Sequence, residues 1–307
     1  MNPLQGILLK IGSVTMFVTM AAMIKAAAAE GVPAGEAVFF RSILALPVIF
    51  AWLVLRGDLR EGVKTVHPMG HFWRGLVGTS AMMLMFAGLG LLPLPEATAI
   101  GYAAPILVVI FAAMFLGEEV RAFRLSAVAL GLIGVLVVLQ PRMQDLSAGV
   151  EYSEAFGAML ILAGAFCAAL AQVFIRKMVQ VERTASIVFW FSVTASLLSL
   201  LTLPWGWVIP GPKVALLLGL SGLCGGIGQI LLTSSYRFAD ASVIAPFEYS
   251  SMLLALIYGY AFFDEVPSGQ MLGGAAIVIS AGVLIIWRER RLGLERDKQR
   301  KVMTPQG

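Results

Sequence analysis

The chain has 307 residues, 59% of them hydrophobic and only 13% charged, with a mean hydropathy of +0.88 and a formal net charge of +4. Soluble domains are about half apolar and a quarter charged, so this composition excludes an ordinary globular protein. Apolar runs near the roughly 20 residues that cross a bilayer core recur along the chain without strand-like alternation, which predicts an all-α integral membrane protein rather than a β-barrel.

Ten transmembrane helices are predicted, over residues 6–28, 34–55, 71–92, 95–116, 124–140, 156–178, 185–204, 213–236, 241–263 and 268–287. The first run is too long for a cleaved signal and leads straight into the second. Lys and Arg are distributed unevenly between the two sets of loops: seventeen fall in one set and the tail, against Arg142 and Lys213 in the other. That bias predicts that both termini are cytoplasmic, and the expected location is a bacterial inner membrane. The polar stretch between spans 2 and 3 contains Arg56, Arg60, Lys64 and Arg74, together with His67 and His71, read as a solvated pair.

One stretch occurs twice. Glu96–Gln140 and Asp240–Trp287 each open acid-Ala-hydroxyl and continue into a proline-interrupted apolar helix. An acidic hairpin follows (Gly117-Glu118-Glu119-Val120; Phe263-Asp264-Glu265-Val266), then a second apolar helix with Gly-Val-Leu at Gly134 and Gly282. The offset drifts from 144 to 148 residues, and Gly75 to Gly78 matches Gly219 to Gly222 at 144. Such self-similarity sets the architecture. The expected organisation is a first repeat over 1–141, a periplasmic linker over 142–154, a second repeat over 155–288 and a basic cytoplasmic tail over 289–307. Five spans is an odd number, so the second repeat enters the membrane from the opposite side. Inverted repeats are a recurrent device of secondary transporters.

Ionisable groups within spans are costly and mark function or pairing. Lys25 lies near the outer end of span 1 and reads as interfacial. Arg41 in span 2 reads as snorkelling or as pairing with Glu36, although a spacing of five suits a helix pair imperfectly. Glu248 follows Pro246 by two residues, where a broken helix exposes carbonyls, and reads as a proton-coupling or cation-binding carboxylate. Pro105 and Pro246 interrupt corresponding spans of the two repeats, the best sequence pointer to a midplane binding site. Tyr102 and Tyr249 lie within a turn of these breaks. Phe86 and Trp190 are further aromatic candidates for substrate contact or packing. Gln172 and Gln229 read as buried amides, serving as helix–helix glue or substrate contacts.

No phosphate loop, zinc-helix or nucleophile-elbow pattern occurs, and Cys167 and Cys224 lie in apolar runs. No cofactor, resident metal or nucleic-acid partner is expected, and a membrane enzyme is disfavoured because its acidic pairs would fall on opposite faces. The two five-helix halves, Phe39-Phe40-Arg41-Ser42, Gly117-Glu118-Glu119 and the echoing Asp264-Glu265 resemble the drug/metabolite transporter superfamily, and within it the EamA family. The resemblance implies a central cavity lined by spans 1, 3, 4, 6, 8 and 9, and transport of small organic metabolites as a monomer or homodimer. The amino-terminal segment is similar to riboflavin-type importers, which makes flavin uptake the first expected activity and proton-coupled export of amino acids or drug-like metabolites the alternative.

Overall fold

The computed structural model describes residues 3–57, 59–116, 122–148, 152–178, 181–238 and 245–303. Helices α1 (Pro3–Ala29), α2 (Ala34–Leu55), α3 (Leu59–Gly62) and α4 (Pro68–Leu89) come first. Helices α5 (Leu94–Gly101) and α6 (Ala103–Leu116) are two halves of one span, and α7 (Ala122–Ala148) completes the first five. The second five are α8 (Tyr152–Met178), α9 (Thr184–Leu200), α10 (Pro212–Phe238), a 3-10 turn Ala245–Tyr249 continued by α11 (Ser250–Phe263), and α12 (Gly269–Met303). Among the described residues, five helices are long and apolar enough to cross a membrane, and five shorter apolar segments fall at spans 4, 5, 7, 9 and 10. This is the all-α, ten-span architecture that the apolar runs predict. Helix α7 runs through Pro141 to Ala148, well into the stretch expected as a linker. The first acidic hairpin, with Glu118 and Glu119, lies outside the described residues.

Prolines set several boundaries. Pro68 and Pro212 stand at helix entrances, where a missing N–H is no loss and a fixed φ is already helical. Pro105 cannot donate to the carbonyl of Gly101, so the fourth span parts at Tyr102 and resumes at Ala103. Pro246 lies in the 3-10 turn at the start of the ninth span. There the hydroxyls of Ser250 and Ser251 donate to the carbonyls of Phe247 and Glu248 at 2.6 and 2.7 Å. These short side chains satisfy acceptors that a regular helix would use.

The halves are related by inversion, as the packing directions show. Helix α1 packs antiparallel on α10, with Ser13 donating to the carbonyl of Gly228 at 2.9 Å and Met20 lying beside Gly225. The matching pair from the other halves, α4 and α8, is also antiparallel, with Gly88 against Gly157 and Met85 against Gly164. Helices α7 and α12 meet each other symmetrically. A Cβ at Gly134 would lie 2.9 Å from the carbonyl of Gly274, and a Cβ at Gly274 would lie 2.9 Å from the carbonyl of Gly134. The seam brings Gly134 against Gly274. Gly282 faces the hydroxyl of Tyr249.

The face of the bundle where α1 begins carries a buried polar cluster. Glu182 accepts hydrogen bonds from the Thr65 hydroxyl and from the Val66 and His67 N–H groups at 2.7–2.8 Å, and sits 3.4 Å from His71. Burial pushes this carboxyl upward, but the donors, led by the His67 N–H, outweigh burial and hold it below the ordinary carboxylate range. His71 and Arg74 are not loop residues: α4 begins at Pro68, and both are buried within it. Because the folded carboxyl is the stronger acid, its contribution is present at neutral pH and lost as pH falls through the depressed value. Glu182→Gln is expected to cost about 1–3 kcal/mol near neutral pH. It should also flatten the acid limb of a plot of melting temperature against pH.

Candidate functional site

The two helix breaks meet. The rings of Tyr102 and Tyr249 lie edge to face at 5.1 Å and 72°. The Tyr102 hydroxyl shares a 2.6 Å hydrogen bond with Ser251 and reaches the Tyr249 carbonyl at 3.4 Å. Phe86 is buried in the same apolar cluster. Pro105 stands one turn into α6, and Pro246 one residue into the 3-10 turn. The aromatic pair thus joins a broken span of the first repeat to one of the second.

Beside it, Glu248 forms an ion pair with Lys10 of α1. The ammonium end is sealed, with the Lys10 side chain 3% exposed, whereas the Glu248 side chain is 47% exposed. This pair heads a polar ladder along α1 and the ninth span. Thr19 meets the Tyr258 hydroxyl at 3.0 Å, and Lys25 meets Glu265 at 3.0 Å. Partner numbers rise together on both helices, so the two run parallel. Lys25 is therefore not merely interfacial: it also donates to the Leu92 carbonyl at 2.5 Å and lies 5.4 Å from the Phe263 ring centre. The corresponding seam between α6 and α8 is apolar, with Phe111 edge-on to Phe166 at 4.9 Å.

Other expected residues lie elsewhere. Gln172 is exposed on α8 rather than buried, and Gln229 is half-buried on α10. Trp190 donates to the Val63 carbonyl at 2.9 Å and stands 6.4 Å from the His71 ring, so it belongs to the cluster at the amino-terminal face. Arg41 neither snorkels nor pairs with Glu36. It is 4% exposed, while Glu36, fully buried, accepts from the Val208 N–H at 2.9 Å. Arg41 and Arg74 instead converge on Phe191, with charge centres 5.8 and 3.5 Å from its ring centre. Those two distances bound the separation of the charges at about 9 Å, where repulsion at an effective dielectric of about 20 is roughly 2 kcal/mol. Sequence reasoning missed Lys10, Ser251, Phe191 and the burial of Arg74. The sequence held only a weak pointer to Lys10: it lies four residues into span 6–28 and Glu248 seven into span 241–263, with opposite charge.

Two inverted five-span units with their broken helices crossing describe a transporter scaffold, and the sequence profile of the EamA-like transporter family matches twice, over residues 4–140 and 155–287. The chain belongs to the EamA-like transporter family. Curated relatives of this EamA protein include an S-adenosylmethionine uptake transporter of Rickettsia prowazekii, 28% identical over 83% of this chain and 84% of its own length. A riboflavin transporter of Rhizobium johnstonii is 30% identical over 75% of this chain and 74% of its own. The pseudopaline exporter CntI of Pseudomonas aeruginosa is 27% identical over 91% and 95%. A crystal structure superposes with a TM-score of 0.65 at 20% identity, covering 94% of this chain and 98% of that one, which shows the shared fold. As an EamA protein, the chain is an integral membrane transporter of small metabolites.

Proposed function

We propose that this protein is a secondary transporter of the bacterial inner membrane that carries a small metabolite bearing a flat ring by alternating access. The observation that carries the reading is the meeting of the two helix breaks at Tyr102 and Tyr249, with Lys10 and Glu248 alongside. Aromatic edges and faces suit a planar heterocycle. A half-exposed carboxylate with a sealed counter-ion offers a charge that a ligand can engage. Riboflavin and S-adenosylmethionine both bring flat heterocycles, and both are substrates of proteins similar to this one by name. The test is flux into liposomes containing the purified protein. Saturable uptake of one of these compounds is expected, reduced at least tenfold in Tyr102→Ala and Tyr249→Ala. Flux of neither compound, or flux indifferent to both substitutions, would remove this reading.

A second reading is proton-coupled export of amino acids or drug-like metabolites, favoured by the exposure of Glu248 beside a buried Lys10. Protonating that carboxylate would release the ammonium. Glu248→Gln should then abolish the pH dependence of flux, and an unchanged dependence counts against coupling.

A further inference from the structure

We propose that Arg41 and Arg74 form an oxyanion-binding site at the seam between the two repeats, separate from the tyrosine pair and independent of the substrate assigned there. Both residues are buried, at 4% and 6% exposure. The Nε of Arg41 and the Nε and Nη1 of Arg74 have no hydrogen-bond partner. Among the described residues no carboxylate lies within ion-pair distance of either guanidinium. Their neighbours do not supply one. Glu36 gives one oxygen to Val208, and His71, one turn from Arg74, faces Glu182. The Phe191 ring is the shared contact of the two cations.

Buried charges in proteins are paired or hold ligands, because an isolated one is strongly disfavoured in a low-dielectric interior. Two of like sign side by side raise that demand. The guanidinium fork matches carboxylate and phosphate oxygens in geometry as well as charge. The location also fits a ligand. Arg41 and Arg74 come from α2 and α4 of the first repeat, and Phe191 and Gly225 from α9 and α10 of the second. Small molecules bind at such repeat interfaces. Glycines let the forks lie close against the helix backbones. A Cβ at Gly78 would lie 3.2 Å from Arg74 Nη1, and one at Gly225 would lie 2.9 Å from Arg41 Nε. The hydroxyls of Ser42 and Thr79, on the same two helices, are likewise buried without partners.

The test is the melting temperature of the full-length protein in neutral detergent, titrated with sodium succinate, sodium phosphate or phosphatidylglycerol at matched ionic strength in sodium chloride. Saturable stabilisation by about 5 °C is expected from at least one of them. Arg41→Gln and Arg74→Gln should each raise the half-maximal concentration about 30-fold or more. Without oxyanion, both variants should melt at or above wild type, since each removes an unpaired buried charge; a packing role would lower the melt instead. Arg41→Lys and Arg74→Lys, which keep the charge and lose the fork, carry the same test if the glutamine variants do not fold, and should respond to the anion more weakly than wild type. A response to phosphatidylglycerol alone assigns the oxyanion to a lipid head group, and a response to succinate or phosphate assigns it to a soluble metabolite. Absence of saturable stabilisation by all three, or an unaltered response in the variants, overturns the proposal. Failure here leaves riboflavin or S-adenosylmethionine flux untouched, so the two readings fall separately.

Discussion

Glu248→Gln is expected to destabilise the protein by about 3 kcal/mol, whereas Lys10→Met should cost about 1 kcal/mol or less. The pair is asymmetric in exposure, 3% for the lysine side chain against 47% for the glutamate. Removing the glutamate strands an ammonium that no water reaches. Removing the lysine leaves a carboxylate that solvent can stabilise. The double variant Lys10→Met/Glu248→Gln should recover most of the loss, and the cycle isolates the coupling between the two positions. Thermal melts of the four proteins provide the readout. Equal losses in the two single variants would mean that the ion pair is not shielded on the lysine side.

The second large effect concerns the seam of α7 and α12. Gly134→Val should cost about 3 kcal/mol and reduce flux to roughly a tenth or less, because overpacking here meets backbone as well as the Val278 side chain. A Cβ at position 134 would lie 2.9 Å from both the Gly274 carbonyl and the Val278 nitrogen. With no hydrophobic force drawing helices together in lipid, close approach of small residues is what holds such a seam. Gly273→Ala on α12, beside Gly274, provides the control. Nothing lies within 4 Å of its added methyl, so its effect should stay within about 0.5 kcal/mol. Melting temperature and proteoliposome flux, measured together, separate loss of fold from loss of motion.

The spans were legible because the need for an apolar segment of bilayer length acts on each piece of chain by itself. The breaks at Pro105 and Pro246 were legible for a similar local reason, a missing donor. Partners across the fold were not. Lys10 and Glu248 are 238 residues apart, and neither helix alone indicates the other. Arg74 and His71 are polar residues at the edge of the predicted span 71–92 that read with the loop before it, whereas α4 starts at Pro68 and buries both in the bundle. Gln172 was misplaced because α8 is apolar on every side, so its pattern marks no inward face. The Gly-Val-Leu echo speaks to which positions of the two repeats correspond, while the α7–α12 contact is set by which glycines let two backbones touch.

Glu265 grips two partners of the first repeat from a turn in the second. One oxygen meets Lys25 at 3.0 Å, and the other accepts the Leu94 N–H at 2.7 Å. A clasp of this kind does not loosen by degrees, since parting the ends of α1 and α5 from that turn breaks both bonds together. Two charge-assisted bonds of this sort are worth roughly 3 kcal/mol. Opening that face therefore requires one carboxylate to give up both of its partners at once.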